Sequence, residues 1–122
     1  MDARELKSRT FDFGLRVIRL VRALPKTTEA RAVGGQLVRS GTAVGANYRA
    51  TCKSRSKAEF IAKIGVVEEE VDESAYWLEI IMAAKMLKES RVQPLLQEAR
   101  ELERIFGQSR VTALRHREPK RS

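Results

Sequence analysis

The segment RSGTAVGANYRA, residues 39–50, places Gly41 and Gly45 four residues apart among other small side chains. A phosphate-binding loop of the G-x-x-x-x-G-K-[ST] type needs a lysine directly after its last glycine and a strand before its first one. Here Ala46 and Asn47 follow the second glycine, and no alternating strand pattern precedes the first. Small residues instead recur at helical spacing, which allows a neighbouring helix to approach closely. The segment is therefore predicted to form the packing face of a helix, with the stripe Gly34, Val38, Gly41, Gly45, Tyr48 and Cys52.

Amphipathic segments with helical periodicity lie on both sides of this stretch. They predict four helices, at about residues 10–24, 28–53, 57–88 and 92–112. Short links between long amphipathic helices are typical of an antiparallel up-down four-helix bundle. The chain is thus expected to be all-α, with one bundle domain over residues 1–113 and a basic disordered tail over residues 114–122.

Signals for the ends of the helices support these limits. Pro25 ends the first helix, since the residue before a proline disfavours helical geometry. Thr27 or Thr28 is expected to cap the second helix, Ser56 the third and Ser90 the fourth. Two apolar faces are predicted to reach the core. They are Phe11, Leu15, Ile18, Val21 and Leu24 on the first helix, and Val92, Leu95, Leu96, Ala99, Leu102, Ile105 and Phe106 on the fourth.

Composition excludes several classes of protein. The 122 residues contain one cysteine, so no disulfide framework is expected, and a reducing, cytoplasmic setting fits. The N-terminal sequence MDARELKSRTF is too charged for a signal peptide. The longest apolar run, near YWLEIIMAA, is shorter than the ~20 residues of a membrane span, so no membrane association is expected.

Positive charge is concentrated at both ends of the chain. The net charge of +8 divides into +7 over residues 1–53, −3 over residues 54–89 and +4 over residues 107–122. A basic balance favours polyanionic partners, nucleic acid first, although helix 3 offers acids that can neutralise some of these arginines. The candidate nucleic-acid-binding residues are Arg9, Arg16, Arg19, Arg22, Arg49, Lys53, Lys57, Arg115 and Arg117.

The residues from Tyr76 to Leu87 are apolar on nearly every side of the predicted third helix. A helix that is apolar all round is buried all round, and one bundle buries only part of each helix. An oligomer interface is therefore predicted here, in preference to stacking of the aromatic pair on nucleic-acid bases. The interface residues are Tyr76, Trp77, Ile80, Ile81 and Ala84.

Blocks of the sequence resemble a known family. RSGTAVGANYRA followed by SRSKAEFIAKIGVVEEEVDESAYWLE resembles the signature of the four-helix-bundle proteins encoded by intervening sequences in bacterial 23S ribosomal RNA genes, over roughly residues 8–112. The resemblance implies a bundle that assembles into a ring-shaped homopentamer, and a relation to the basic, nucleic-acid-binding accessory proteins of diversity-generating retroelements. It also implies a structural polar network between helices 2 and 3. The network residues are Arg39, Asn47, Glu70 and Glu73.

No constellation for catalysis or metal binding is found. Bundle di-iron sites need Glu-x-x-His motifs, and the single histidine, His116, lies near the C-terminus. Glu69 and Glu73 are one turn apart, but a solvated or ion-paired face explains them better than acid–base chemistry. Ser54 satisfies S-x-x-K without the companion motifs of a serine nucleophile. No catalytic residue, metal or cofactor is expected.

Two functions are compatible with these observations. The first is a non-enzymatic, basic, oligomeric bundle that binds RNA or DNA through phosphate contacts. The alternative is a protein–protein adaptor, whose basic surface receives an acidic protein partner without a direct nucleic-acid function.

Overall fold

The computed structural model describes residues 1–116, which form four helices and no strand. The helices are α1 (Ala3–Arg22), α2 (Thr28–Thr51), α3 (Lys57–Ala83) and α4 (Glu89–Arg115). Pairs of contacts give their directions: Glu68 pairs with Arg110 and Glu79 with Arg100, so α3 and α4 are antiparallel. Arg9 pairs with Glu98 while Arg16 and Arg19 lie beside Arg91, so α1 and α4 are antiparallel too. The architecture is an antiparallel four-helix bundle, as predicted.

Helix α1 begins seven residues before the predicted limit of residue 10. Asp2 is the N-cap, and its Oδ1 accepts a hydrogen bond of 2.8 Å from the backbone N–H of Glu5. The helix ends at Arg22, two residues short of the predicted limit. The predicted start was wrong because it was placed beside the first apolar residue of one helix face, Phe11. The capping residue Asp2 marks the true N-terminus.

The predicted core face of α1 was only partly right, because Val21 and Leu24 pack against the core whereas Phe11 and Leu15 do not. Phe11 is 54% exposed and Leu15 36% exposed, so this N-terminal part of the face points out of the monomer. The residues that enter the core are Leu6, Thr10, Phe13, Gly14, Val17 and Leu20. Helix α1 thus carries a second apolar surface at Phe11 and Leu15, which residues 1–116 leave exposed.

The glycine stripe of α2 packs against α1. A Cβ atom built on Gly41 would lie 2.7 Å from Val17 Cγ2, and one on Gly34 would lie 3.0 Å from Val21 Cγ1. At Gly45 the nearest atoms belong to the backbone of Thr10, at 3.4 Å. Small residues therefore let the two helix backbones come close, as expected from the opening segment. Cys52 lies beyond this contact, as the exposed C-cap of α2.

The caps of α2 and α3 follow the sequence. Thr27 Oγ1 accepts from the N–H of Ala30 at 3.2 Å. Ser56 Oγ accepts from the N–H of Glu59 at 3.0 Å, while Glu59 Oε2 accepts from the N–H of Arg55. Both caps satisfy backbone donors that the first turn of a helix leaves without partners.

The junction between α3 and α4 differs from the prediction. Helix α3 ends at Ala83 rather than near Lys88, and Lys85 adopts a left-handed conformation with φ of 57°. Helix α4 begins at Glu89, so Ser90 lies inside it and does not cap it; the N-cap is Lys88, without a side-chain hydrogen bond. A tight turn after Ala83 leaves no room for the longer helix.

The C-terminal limit of the bundle is later than predicted. Helix α4 continues to Arg115, so Leu114 and Arg115 are helical and do not belong to a tail. The remainder of the predicted tail, residues 117–122, lies outside the described residues.

The interior is built mainly from Val, Leu, Ile and Phe of all four helices. Of the predicted face of α4, Val92, Leu102 and Phe106 are completely buried, and only Ile105 is half-buried. The core also holds one polar contact between helices, in which Ser74 Oγ donates to Ser40 Oγ at 2.9 Å. This hydrogen bond fixes the register of α2 against α3 and leaves both buried hydroxyls satisfied.

Candidate nucleic-acid interface

The predicted basic residues do not form one continuous patch. Arg16, Arg19 and Arg22 lie on the C-terminal part of α1, whereas Arg49, at the end of α2, lies at the opposite end of the bundle. Lys53 follows α2, Lys57 is the first residue of α3 and Arg115 is the last of α4, so all three join Arg49 at that end. Arg117 is outside the described residues.

Arg9 is held within the chain and does not belong to the interface. Its Nε and Nη2 donate to the two carboxylate oxygens of Glu98 at 2.7 Å each, and Nη2 lies 3.3 Å from Glu101. The hydrogen bond to Glu98 raises the pKa of the guanidinium above its ordinary value. Both partners are largely covered, so this bidentate contact closes the seam between α1 and α4. The prediction of Arg9 as a free phosphate ligand was therefore wrong.

Arg16 and Arg19 line a groove between α1 and α4 with a volume of about 230 Å³. Arg91, from the first turn of α4, lines the groove on the opposite side. No salt bridge in residues 1–116 includes any of these three arginines. Sequence reasoning missed Arg91 because its proximity to α1 depends on the antiparallel register of two helices at opposite ends of the chain.

Arg22 belongs to a different groove. It lies near the turn between α1 and α2, in a depression of about 270 Å³ that Lys26 and Arg31 also line. Three residues along a helix rotate the side chain by about 300°, so a stripe with this spacing drifts around the axis. The predicted stripe on α1 is thus divided between two neighbouring basic grooves.

At the other end of the bundle, Arg49 lies over the ring of Phe11, with 6.0 Å between its Cζ and the ring centroid. Phe11, Leu15 and Thr42 belong to an apolar groove of about 240 Å³ between α1 and α2. The exposed apolar residues of α1 form one wall of this groove. The small residues of α2 form the other wall, which projects less. The described chain leaves this groove uncovered.

Arg39 connects α2 to α3 through two carboxylates. Its guanidinium pairs with Glu70 at 3.4 Å and with Glu73, and the hydrogen bond to Glu73 raises its pKa. Trp77 Nε1 donates to the same Glu73 at 3.3 Å, a contact that the sequence did not indicate. Asn47 is not part of this cluster, because its side-chain amide donates to the carbonyl of Ala43 on its own helix.

Other acids of α3 also face basic residues within the chain. Glu68 pairs with Arg110 at 2.6 Å, and Glu79 pairs with Arg100. The acidic middle of the sequence therefore neutralises Arg39 of α2 and Arg100 and Arg110 of α4. Among residues 1–116 it leaves the arginines at the C-terminal end of α1 without carboxylate partners.

The predicted oligomer-interface residues have mixed exposure. Tyr76 is 53% exposed, and Trp77, which meets it edge-on at 5.0 Å between ring centroids, is half-buried. Ile80 is half-buried and Ala84 exposed. Ile81 is completely buried in the monomer core and cannot contact another subunit, so its inclusion was wrong.

Two carboxyl groups meet between α3 and α4. Partial burial raises the pKa of Glu103 above its ordinary value of 4.5, and the neighbouring Asp72 raises it further. A carboxyl whose pKa is raised by folding stabilises the folded state below its unfolded pKa, and that contribution is lost as pH rises through the folded pKa.

Replacing Glu103 with glutamine is therefore expected to stabilise the fold at neutral pH, by up to about 1 kcal/mol, the scale of a partly exposed charge interaction. At pH 4 the variant and the parent protein should be nearly equal in stability. Urea unfolding at several pH values checks this. The control is Glu69→Gln, which removes one negative charge from an exposed position of α3. If the two variants changed the free energy of unfolding equally at every pH, the raised pKa could not be assigned to Glu103.

Within residues 1–116, no three His, Cys, Asp or Glu side chains come together to hold a metal ion. No described helix is long and apolar enough to cross a membrane. The described surface carries basic grooves, an apolar groove and paired acids.

Comparison with known proteins places this fold in a family. The family profile described as "23S rRNA-intervening sequence protein" matches residues 4–108. The chain belongs to this family. A crystal structure of a protein of unknown function from the S23 ribosomal protein family of Bacteroides thetaiotaomicron is similar to it, with a TM-score of 0.80 and 25% sequence identity. The similarity covers 86% of this chain and 97% of that protein. No curated protein matches the chain.

Proposed function

We propose that this member of the 23S rRNA-intervening sequence proteins is a cytoplasmic, non-enzymatic, oligomeric bundle that binds RNA or DNA through phosphate contacts. The observation that carries the proposal is the division of the basic residues. The acids of α3 and α4 hold Arg9, Arg39, Arg100 and Arg110 in salt bridges, whereas Arg16, Arg19 and Arg22 have no such partner among residues 1–116. Arginines without carboxylate partners are available to phosphate groups.

The family description supports RNA as one of the candidate polyanions, since it refers to a ribosomal RNA gene. Guanidinium contacts to phosphates position a protein on nucleic acid without reading its sequence. The grooves contain no aromatic side chain that would stack on bases, because their lining consists of basic, small and aliphatic residues. Binding with little sequence preference is therefore the expected mode.

We also propose that the protein is a homo-oligomer, a pentamer according to the family resemblance. The support is the second apolar stripe of α1, which the monomer leaves exposed at Phe11 and Leu15, together with the exposed ring of Tyr76 on α3. Burial of one large apolar side chain contributes about 1.5–3 kcal/mol, so covering these residues would stabilise an assembly. Repetition of the basic grooves around a ring would multiply the positive field.

A salt series tests the proposed function. The nuclease-treated protein is titrated into a labelled RNA hairpin and a labelled DNA duplex at salt concentrations from 50 to 200 mM, while its mass in solution is recorded. Affinity is expected to fall steeply with salt, by about 10³-fold or more if six or more phosphates are contacted. Absence of binding at the lowest salt concentration would contradict the proposal.

The same arginines would also suit the alternative function, an adaptor whose basic surface receives an acidic protein partner. Capture of such a partner that survives nuclease treatment, from a protein that does not bind nucleic acid at low salt, would favour the adaptor. Loss of the partner on nuclease treatment would favour the nucleic-acid function.

A further inference from the structure

We propose that the groove between α1 and α4 seats one backbone phosphate of a nucleic acid, and that Arg91 completes this site opposite Arg16 and Arg19. This inference rests on the proposed function and assigns it a location. The groove is formed by little more than one turn of each helix. Its lining residues are Arg16, Arg19, Leu20, Arg91, Pro94 and Leu95.

The seam between α1 and α4 changes its electrostatic character along its length. Toward the N-terminus of α1, a basic residue meets acids: Arg9 pairs with Glu98 and Glu101 of α4. Two turns further along α1, Arg16 and Arg19 face Arg91, and no carboxylate of the described chain pairs with them. Like charges on both sides of a groove repel one another and destabilise the folded state. An anion between them would convert that repulsion into attraction.

The chemistry of the lining favours phosphate among anions. A guanidinium presents a planar fork of donors that matches two oxygens of a phosphate group. Three such groups surround one groove here, drawn from two helices. The base of the groove consists of Leu20 and Leu95, both at least nine-tenths buried, so it is rigid and offers no competing acceptor side chain.

The start of α4 adds to the positive potential. Arg91 lies in the first turn of a 27-residue helix, where the macrodipole is positive. The N-cap residue Lys88 provides no side-chain acceptor for the first N–H groups. The acid of this turn, Glu89, forms no salt bridge in the described structure and does not line the groove.

The test compares two arginine-to-glutamine variants on the same helix. Arg91→Gln removes the proposed third ligand, whereas Arg104→Gln removes an equal charge from an exposed position of α4, about 20 Å along the helix axis. Affinity for the labelled RNA hairpin and for the DNA duplex is measured at several salt concentrations. Thermal unfolding shows that both variants are folded.

Arg91→Gln is expected to weaken binding about tenfold and to reduce the number of phosphate contacts in the salt dependence by about one. Arg104→Gln should change affinity less than about twofold, and Arg91→Lys should recover part of the loss because it restores the charge without the fork. If Arg91→Gln and Arg104→Gln have equal effects while the parent protein binds, the groove is not the site and the proposed function stands. If the parent protein does not bind at low salt, the proposed function fails and this inference fails with it.

Discussion

Replacing Gly41 with leucine is expected to lower the free energy of unfolding by roughly 3 kcal/mol, near the upper end of the cost of overpacking. The reason is the contact between α1 and α2. A Cβ at this position would lie 2.7 and 2.9 Å from the two γ-carbons of Val17 and 3.1 Å from its Cβ. Because the Cβ of Val17 is fixed to the backbone, the contact is relieved only if the helices move apart. Thermal unfolding should show a midpoint lower by roughly 10 °C.

Other glycines of the bundle provide matched controls. Gly35, on the next position after Gly34 in the same helix, and Gly65 in α3 would each place a Cβ in open space. Alanine at either position is expected to stabilise the protein, by up to about 1 kcal/mol, because glycine disfavours the helix. Gly41→Ala should destabilise, less than leucine does, since the same propensity gain offsets part of the clash. A stabilising effect of Gly41→Ala equal to that of Gly35→Ala would show that the close approach is not required.

The sequence predicted the parts of the fold in which a pattern has one structural solution. Interior glycines at helical spacing in α2 weaken an isolated helix, so close packing was the natural explanation for them. The face of α4 was predicted correctly, because a single apolar stripe on a helix must enter the core. Local chemistry alone identified Ser56 as a cap and limited the cap of α2 to Thr27 or Thr28.

The errors arose where the sequence allowed two solutions. Helix α1 has one apolar stripe through Phe13 and Val17 and another through Phe11 and Leu15. Both have the helical period, and the choice between them depends on where the glycines of α2 dock. In the same way, the apolar run after Tyr76 surrounds the helix on all sides, and periodicity alone did not show that Ile81 is the member that enters the core.

The candidate site was predicted only in part, for a related reason. Charge counting identified basic residues, but it could not show which of them meet an acid on another helix. Arg9 pairs with Glu98, 89 residues away in sequence. Arg16 and Arg19 instead line a groove together with Arg91. Both contacts follow from the register in which α1 and α4 pair, and the sequence alone does not give that register.

Reversing the charges of Arg16 and Arg19 together, by replacement with glutamate, is expected to reduce nucleic-acid affinity at least 100-fold. Hydrogen bonds to charged groups are each worth about 1.5–3 kcal/mol, and two are lost. A tenfold change in affinity corresponds to about 1.4 kcal/mol. Two carboxylates in the groove would also repel the phosphate that the arginines attract. Titration of the labelled RNA hairpin at low salt measures the loss.

The matched control reverses Arg4 and Arg104, which lie on the same two helices toward the other end of their seam. The net charge changes equally, so a general effect of charge on the field of the protein would appear in both double variants. We expect the fold-loss of affinity in the control to be less than a tenth of the fold-loss in the groove variant. Equal losses would mean that net charge, not the arrangement of arginines, governs binding.

Stability should respond to the groove variant in the opposite direction. In the free protein Arg16 and Arg19 face Arg91, and glutamates at these positions would pair with it, so the melting temperature is expected to rise by a few degrees. A variant that is more stable yet binds more weakly is the signature of residues retained for a ligand at a cost to the fold. If the melting temperature falls together with affinity, the arginines support the bundle itself. The loss of binding would then reflect a damaged structure rather than a missing contact.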